Sequence, residues 1–301
     1  MPVRIAVIGV GHLGRHHARI LPTVPGATLV AAVDLVIERA QQAAQAAGGK
    51  ALADSRELLG GGPAVDAVVV AVPTADHLAV ARPFLERGLH VLVEKPMAAS
   101  LDQADELARL ARESGAVLAV GHSERFNPAI RAALPILRTP RFIEVHRLSG
   151  FPERSLDIDV VFDVMIHDLD IIQAIDRSEV AGVEAIGVPV LTSRVDIANA
   201  RVKFTSGCIA NVTASRISRD KVRKVRFFQP DMYVSIDYGA QELEVWRLQP
   251  RPGDRPAIEG GPIAVEREEP LRAELIDFVE AVQTKRAPLV TADDGRRALA
   301  L

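Results

Sequence analysis

The sequence has only one cysteine, Cys208, among its 301 residues. A single thiol excludes an internal disulfide and any zinc site built from several cysteines. Cys208 lies in a strand-like apolar run, where we expect a small buried side chain. Aromatic residues make up 4% of the chain, so the core must consist mainly of alanine, valine, leucine and isoleucine.

A strong charge of either sign is also missing. The net charge is −3 and the isoelectric point is about 6.3, which argues against a nucleic-acid partner held by bulk electrostatics. No charge-free apolar run is long enough to span a membrane, and no secretory leader precedes the first predicted strand. We therefore expect neither nucleic acid nor a membrane as partner, and a cytoplasmic location.

The most informative motif lies near the start of the chain, between a predicted buried strand and a predicted helix. Gly9, Gly11 and Gly14 have the spacing of a dinucleotide-binding fingerprint. Gly9 permits a tight turn, Gly11 lets the backbone approach a pyrophosphate, and Gly14 allows close helix packing. The free N–H groups of the helix start favour phosphate. We predict that this segment, with His12 and Leu13, binds a dinucleotide.

A second apolar strand supports this prediction and indicates which dinucleotide binds. Residues 28–33 form the strand, and Asp34 follows it, twenty residues after Gly14. A carboxylate at this position accepts hydrogen bonds from a ribose 2′-OH and repels a 2′-phosphate. The sequence therefore favours NAD over NADP.

The order of the predicted strands and helices divides the chain into two predicted domains. Residues 1–121 alternate strands and helices, and the strand at 65–72 is apolar almost throughout, which is typical of a doubly wound parallel sheet. The predicted strands are 3–8, 28–33, 65–72, 89–93 and 116–120, and the predicted helices are 12–21, 37–47, 75–87 and 100–114. We expect an α/β fold with an NAD-binding Rossmann domain at 1–121.

The pattern after Gly121 indicates an open, mostly antiparallel sheet, in an α+β domain at 122–301 for substrate binding and oligomerisation. Predicted strands are 141–148, 197–205, 208–215, 222–228, 231–238 and 241–247, predicted helices are 128–138, 160–177 and 270–285, and 249–262 is predicted to be an exposed loop. A last helix starts near 293 and stops early, so we expect the natural chain to continue.

Two segments follow parallel strands, at the sheet edge where α/β proteins bind ligands. The candidate residues there are Val72, Pro73, Thr74, His77, Glu94 and Lys95. Pro96 keeps Lys95 out of helical geometry, at the end of its strand. A lysine beside a nicotinamide would have a lowered pKa, in a range useful for proton transfer. The alternative is a solvent-exposed lysine in a turn.

Asp163 and His167 form a second candidate group. They are four residues apart in a predicted helix and share one face, with Asp159 and Asp170 a turn away on either side. A carboxylate and an imidazole on an otherwise apolar helix indicate a functional site. The alternative is a core pair without function, and a metal site is disfavoured because no further histidine or cysteine cluster supports one.

The segment that joins the two predicted domains is rich in polar side chains. Asn127 before Pro128 is a good helix N-cap, which explains Asn127 without a ligand. His122, Glu124 and Arg125 are harder to explain structurally, and substrate pockets often form where domains meet. A basic run, from Arg216 to Arg226, is interpreted as a solvated strand face, with a phosphate-binding role as the alternative.

Together these motifs resemble the Gfo/Idh/MocA oxidoreductases over essentially the whole chain. The resemblance rests on Gly9 to Gly14, Ala71 to Thr74 with His77, Glu94-Lys95-Pro96, and Asp163 with His167 and Asp170. It implies that Lys95 and His167 lie at the nicotinamide and the reacting carbinol, with Asp163 beside them. It also implies a cis Lys95–Pro96 peptide and an outer sheet face that makes homodimers or homotetramers. Many members have glycine where this chain has Met165.

Residues 121–128 and 154–170 are similar to one branch of that family, which oxidises the C3 hydroxyl of UDP-N-acetylglucosamine. This similarity implies substrate contacts by a set of polar and aromatic side chains. They are Lys95, Glu124, Arg125, Phe126, Asn127, Arg154, Asp163 and His167.

The resemblance therefore implies an NAD-dependent dehydrogenase that acts on a nucleotide-activated amino sugar. His167 would take the hydroxyl proton, Asp163 would orient its ring, and Lys95 would polarise the oxygen or share the proton. Two alternatives stay open. One is a dehydrogenase of a free polyol or sugar of the inositol or glucose type, and the other is a non-catalytic NAD-binding regulator of the same fold.

Overall fold

The structure is a computed structural model that describes residues 1–151, 158–250 and 255–301. The chain forms two compact units. The first unit contains Met1–Ser123 and Glu269–Leu301, and the second contains Glu124–Glu268. Within the described residues, no helix is long and apolar enough to cross a membrane.

The first unit is built on a six-stranded parallel sheet. Its strands are β1 (Val3–Ile8), β2 (Ala27–Val33), β3 (Lys50–Leu52), β4 (Ala67–Val70), β5 (His90–Glu94) and β6 (Leu118–Gly121). Their spatial order is β3-β2-β1-β4-β5-β6, which is the order of a doubly wound dinucleotide-binding sheet. The four residues of β4 are fully buried, as expected for a central strand covered on both faces. The predicted Rossmann fold is confirmed.

Helices cover this sheet, and their bounds follow the apolar pattern of the sequence. They are α1 (Gly14–Ile20), α2 (Ile37–Ala47), α3 (His77–Leu85) and α4 (Leu101–Ser114). The Ser100 side chain caps the start of α4 by accepting from the Gln103 N–H, and Gly115 ends the helix in a left-handed conformation.

The last part of the chain belongs to the first unit. It forms α7 (Pro270–Thr284) and α8 (Ala292–Ala300). Leu275, Phe278 and Val279 of α7 are at most 1% exposed and join the apolar core of β1 and α1. The sequence placed all of 122–301 in one second domain; the apolar face of α7 is instead buried in the first unit, because it completes that core.

The second unit contains an eight-stranded, mostly antiparallel sheet, as predicted. Its strands are β7 (Phe142–Leu148), β8 (Val180–Val188), β9 (Ile197–Phe204), β10 (Ile209–Ser215), β11 (Val222–Gln229), β12 (Met232–Asp237), β13 (Glu242–Gln249) and β14 (Ala257–Ile263). The order is β14-β13-β12-β11-β7-β10-β9-β8, and only β7 and β10 pair in parallel.

Two helices accompany this sheet, α5 (Pro128–Ala133) and α6 (Ile166–Ile175). A π-helical turn at Val161–Met165 leads directly into α6. One face of β7 is buried and the other half-exposed, in strict alternation. This alternation fixes the pairing register, since a slip by one residue would expose the apolar set.

Three strands were not predicted from the sequence. They are β3, β8 and β14, and each lies at the edge of its sheet. The predicted loop at 249–262 therefore overlaps a strand, since β14 pairs with β13 over its whole length. The glycines of this strand, Gly260 and Gly261, led to the prediction of a loop. Both have a φ of 148° in the structure.

Candidate active site

The turn between β1 and α1 contains three glycines of the fingerprint. The fold requires two of them and does not require the third. Gly9 has φ of 83°, and a Cβ on it would lie 2.7 Å from the Ala71 carbonyl oxygen. A Cβ on Gly14 would lie 1.7 Å from the Gly9 carbonyl oxygen. A Cβ on Gly11 would meet no atom within 4 Å. Gly11 thus leaves open space, which fits the approach of a dinucleotide phosphate.

Asp34 lies beside this turn, at the end of β2. Its Oδ2 accepts from the Val10 N–H at 3.0 Å, and its Oδ1 accepts from the Val36 N–H at 2.9 Å. A carboxylate has about four acceptor positions, so Asp34 keeps capacity for a ribose hydroxyl. His12 is exposed and Leu13 half-buried in the same turn. These residues fit the adenosine half of NAD.

Replacing Gly11 with alanine should separate cofactor binding from folding. The fold should be unchanged, because the added methyl group meets no protein atom within 4 Å. The methyl group would fill the space of the pyrophosphate, so we expect the Kd for NAD to rise at least about tenfold, roughly 1.4 kcal/mol. Calorimetric titration measures the Kd, and thermal unfolding measures the fold.

The matched control is Gly182→Ala in β8, where the added Cβ also meets nothing within 4 Å. This control should change neither Tm nor the Kd for NAD. An unchanged Kd in Gly11→Ala would show that no phosphate approaches this position.

The loop after β4 contains Val72, Pro73 and Thr74, and His77 starts α3. His77 is 1% exposed, and its ring contacts the carbonyl oxygens of Pro96 and Val72, each at 3.0 Å. Burial lowers the pKa of His77, and the carbonyl contacts oppose this shift. The ring therefore ties the loop after β4 to the loop after β5, whereas Pro73 is exposed and Val72 and Thr74 are half-buried.

Lys95 follows β5, and its peptide bond to Pro96 is cis, as the family resemblance implies. The Lys95 side chain is half-buried, while Glu94 is 5% exposed. One Glu94 oxygen accepts from the Lys95 backbone N–H at 3.1 Å, and the other contacts His17 Nε2 at 2.7 Å. Glu94, predicted to contact the cofactor, thus has both oxygens engaged within the protein.

Asp163 and His167 lie on the helical segment of the second unit, and both are half-buried. Asp163 falls within the π-helical turn and His167 in the first turn of α6. π-Helical turns inside helices occur frequently at functional sites. Met165 is the last residue of this turn and is 2% exposed.

The other carboxylates of this helix serve a structural purpose. Asp168 and Asp170 are 0% and 2% exposed. Asp168 accepts two hydrogen bonds from the Arg147 guanidinium, at 2.7 and 2.9 Å. Asp170 accepts two from Arg125, at 2.8 and 3.1 Å. Since paired Arg–carboxylate bonds fix both position and orientation, these pairs hold the helix that carries His167.

Several predicted substrate contacts are occupied by these internal interactions. Arg125 and Phe126 are each 3% exposed. Asn127 is 1% exposed, caps α5 as predicted through the Ala129 N–H, and donates to the Tyr238 carbonyl oxygen at 3.0 Å. Glu124 is more open and accepts from Arg147 at 3.3 Å. Arg154 lies outside the described residues.

The basic run from Arg216 to Arg226 is not uniformly a solvated face. Arg216 is 1% exposed, and its guanidinium donates to Asp196 at 2.9 Å and to the Ile158 carbonyl oxygen at 2.6 Å. Backbone N–H groups from Val190 to Thr192 hold the pKa of Asp196 below its usual range, against the effect of burial. Arg226 does lie at the surface, where it pairs with Glu144.

Four buried residues near these groups were not predicted as functional. They are His17, Arg147, Asp168 and Glu274. For Glu274, the sequence contained a signal of burial in its position on the helix. Glu274 shares a helix face with the apolar Phe278, four residues later, and with Ala281. A charged residue on such a face needs a partner or a neutral state.

Comparison with known proteins agrees with this geometry. Residues 3–122 match the Gfo/Idh/MocA model, described as an oxidoreductase family with an NAD-binding Rossmann fold. The chain is 37% identical to UDP-N-acetylglucosamine 3-dehydrogenase from Acidithiobacillus ferrooxidans, over 99% of this chain and 94% of that protein. It is 32% identical to scyllo-inositol 2-dehydrogenase (NAD(+)) from Bacillus subtilis, over 72% and 68% of the two chains.

A solved structure agrees over the full length. The structure of UDP-N-acetylglucosamine 3-dehydrogenase from Acidithiobacillus ferrooxidans superposes with a TM-score of 0.92 at 36% identity, covering 100% of this chain and 95% of that one. With the glycine turn, Asp34 and the strand order described above, these similarities place the chain in the Gfo/Idh/MocA family of NAD-binding oxidoreductases.

Proposed function

We propose that this oxidoreductase uses NAD to oxidise a sugar secondary hydroxyl, the C3 hydroxyl of UDP-N-acetylglucosamine or a related UDP-N-acetylhexosamine. The observation that carries the substrate is the 37% identity, over nearly the whole chain, to a UDP-N-acetylglucosamine 3-dehydrogenase. The domain roles follow, with NAD binding in the first unit and sugar binding in the second.

The proposed chemistry removes one proton and one hydride from the same carbinol. When bound, NAD supplies the hydride acceptor. The Gly9–Gly14 turn and Asp34 would hold the adenosine and pyrophosphate, and residues of the loops after β4 and β5 would contact the nicotinamide half.

We assign the proton to His167. The neutral form of an imidazole is a base, and it accepts the hydroxyl proton as the carbinol becomes a ketone. Asp163 orients the ring and stabilises the imidazolium that forms. Lys95 polarises the same oxygen with its ammonium group. Glu124, with its partly open carboxylate, is a further candidate for a sugar hydroxyl.

The test is mass spectrometry of an incubation with UDP-N-acetylglucosamine and NAD. We expect NADH and a nucleotide sugar with two hydrogen atoms fewer. The variant Lys95→Ala should bind NAD and form no product, because the proposed role of the lysine lies in the chemical step. Undiminished turnover in Lys95→Ala would contradict the role of the lysine.

A second candidate function has its own support. The 32% identity to scyllo-inositol 2-dehydrogenase favours a free polyol as substrate. The same assay with scyllo-inositol, myo-inositol and glucose distinguishes the two. Turnover of a free polyol, with none of the UDP-sugar, would replace the first proposal with the second.

We also propose that the chain forms a homodimer or homotetramer through the sheet of the second unit. Its support is a set of exposed apolar side chains on and after β8. They are Val183, Ile186, Val188, Val190 and Leu191, exposed by 41–65%. The cytoplasmic location expected from the sequence stays part of this proposal.

A further inference from the structure

Three buried ionisable side chains lie together in the first unit. They are His17 from α1, Glu94 at the end of β5 and Glu274 from α7, and they are 0%, 5% and 2% exposed. One nitrogen or oxygen from each lies within 4.8 Å of the others. Such a group is tolerated in a protein interior only when its charges are paired or neutralised. We refer to these three residues as the buried cluster.

Glu94 connects the buried cluster to Lys95. Its Oε1 contacts His17 Nε2 at 2.7 Å, and its Oε2 accepts the backbone N–H of Lys95 at 3.1 Å. The Glu94 carboxylate therefore links the side chain of His17 to the backbone of Lys95.

Glu274 is the third member, and neither of its carboxyl oxygens has a hydrogen-bond partner among the described residues. Burial raises its pKa well above the usual value, and the nearby carboxylates of Glu94 and Asp277 raise it further. Deep burial without a hydrogen-bond partner favours the neutral, protonated form of this carboxyl group. A protonated carboxyl can donate a hydrogen bond, and one carboxyl oxygen of Glu94 lies within 4.8 Å of one of Glu274.

The alternative occupant of the cluster is a metal ion, and the geometry disfavours it. Two ligands at about 2.05 Å from a tetrahedral zinc ion lie roughly 3.3 Å apart. The 2.7 Å contact between His17 and Glu94 is shorter and corresponds to a hydrogen bond. His17 and Glu94 are therefore joined by a hydrogen bond.

We propose that His17 and Glu274 are positioning residues, which hold the Glu94 carboxylate and, through it, the backbone of Lys95. Glu274 does so as a neutral carboxylic acid. The proposal rests on the proposed function only where it links the position of Lys95 to turnover. The placement of Lys95 itself can be measured without any substrate.

Selective labelling provides that measurement, because the chain has only six lysines. Protein labelled with [15N]lysine gives six backbone amide signals, and the variant Lys95→Arg identifies the one from Lys95. Turnover and the Kd for NAD are measured on the same samples. Three variants are compared with the wild type, namely Glu274→Gln, Glu274→Leu and His17→Phe.

Glu274→Gln retains a neutral donor and should leave the Lys95 signal in place, with turnover within about twofold of the wild type. His17→Phe removes the 2.7 Å contact with Glu94, and Glu274→Leu removes the carboxyl group that lies within 4.8 Å of it. In both we expect the Lys95 signal to move and kcat to fall between about tenfold and 100-fold, as for small displacements of reacting groups. The Kd for NAD should be nearly unchanged, because the glycine turn is intact.

A further variant serves if the cluster substitutions fail to fold. Gly121 in β6 pairs with Glu94, and a Cβ there would lie 2.9 Å from the Glu94 carboxyl carbon and from its Oε2. Gly121→Ala therefore pushes on Glu94 while all three ionisable groups stay present. It should shift the Lys95 signal and lower kcat.

Three results would overturn the proposal. One is a Lys95 amide signal that stays in place in Glu274→Leu and His17→Phe or, if these do not fold, in Gly121→Ala. A second is Glu274→Gln behaving like Glu274→Leu, because an ionised carboxylate would then be required. A third is a stoichiometric metal in the purified protein that His17→Phe loses. A signal that moves without loss of kcat supports the positioning and instead contradicts the role of Lys95 in the proposed function.

Discussion

Replacing His167 with alanine should reduce kcat by about 100-fold to 10,000-fold, while NAD still binds. The proposed role of the imidazole is to accept the hydroxyl proton, and an alanine side chain cannot accept a proton. Steady-state kinetics with UDP-N-acetylglucosamine measures kcat, and quenching or titration measures cofactor binding.

His146 provides the matched control for this variant. It is a half-buried histidine of β7, in the same unit as His167 and outside the proposed site. His146→Ala should have wild-type kcat. The assignment fails if His167→Ala turns over as fast as His146→Ala, or if it loses NAD binding along with activity.

The largest effect on stability is expected from Arg147→Met. This change leaves the Asp168 carboxylate buried without its two guanidinium hydrogen bonds. It also removes the guanidinium from the face of the Tyr238 ring, 4.9 Å from its centre. Breaking one partner out of a buried ion pair costs about 3–5 kcal/mol. For a protein of this size we expect Tm to fall by roughly 6–20 °C.

The same substitution at Arg226 is the control for that result. Arg226 pairs with Glu144 at 2.7 Å, but the two side chains are 41% and 31% exposed. Surface pairs contribute at most about 1 kcal/mol, so Arg226→Met should unfold nearly as the wild type does. The double variant Arg147→Met with Asp168→Leu should recover part of the loss, because the fully buried carboxylate of Asp168 is then no longer left without its partner. Equal losses at Arg147 and Arg226 would contradict the structural importance of the buried pair.

How well the sequence predicted the fold depended on burial. Helix α2 was predicted at 37–47 and is found at Ile37–Ala47, because its apolar residues recur with helical spacing and glycines follow it. The strands that were missed, β3, β8 and β14, have one neighbour each. Most residues of β8 are exposed, so they show no alternation of apolar and polar side chains. Edge strands of this kind form through backbone pairing, which leaves little signal in a single sequence.

The candidate site was predictable where all the elements needed to bind the ligand lie close together in the sequence. The glycine turn and Asp34 are such elements, because the strand, turn and helix that give them meaning are adjacent in sequence. The cis peptide before Pro96 followed from the family resemblance and is present. The roles proposed for Lys95, Asp163 and His167 stay predictions.

The pairings that the sequence could not predict are those between residues far apart in the chain. Arg125 was a predicted substrate contact, yet its guanidinium is held by Asp170, 45 residues away. Arg216 was placed on a solvated face and is instead buried against Asp196. Glu274 and Glu94, two members of the buried cluster, are 180 residues apart in the sequence. No local pattern specifies such pairs, because the folded topology alone brings them together.

The burial of α7 against α1 and β1 also has a consequence for biosynthesis. The nascent chain completes the whole parallel sheet of the nucleotide-binding unit, and then all of the second unit, before Glu269–Leu301 is translated. Until that segment leaves the ribosome, the apolar surface that receives Leu275, Phe278 and Val279 is open to solvent. The first unit, whose sheet is synthesised first, thus completes its core last. Chaperones have a correspondingly long time to bind this apolar surface.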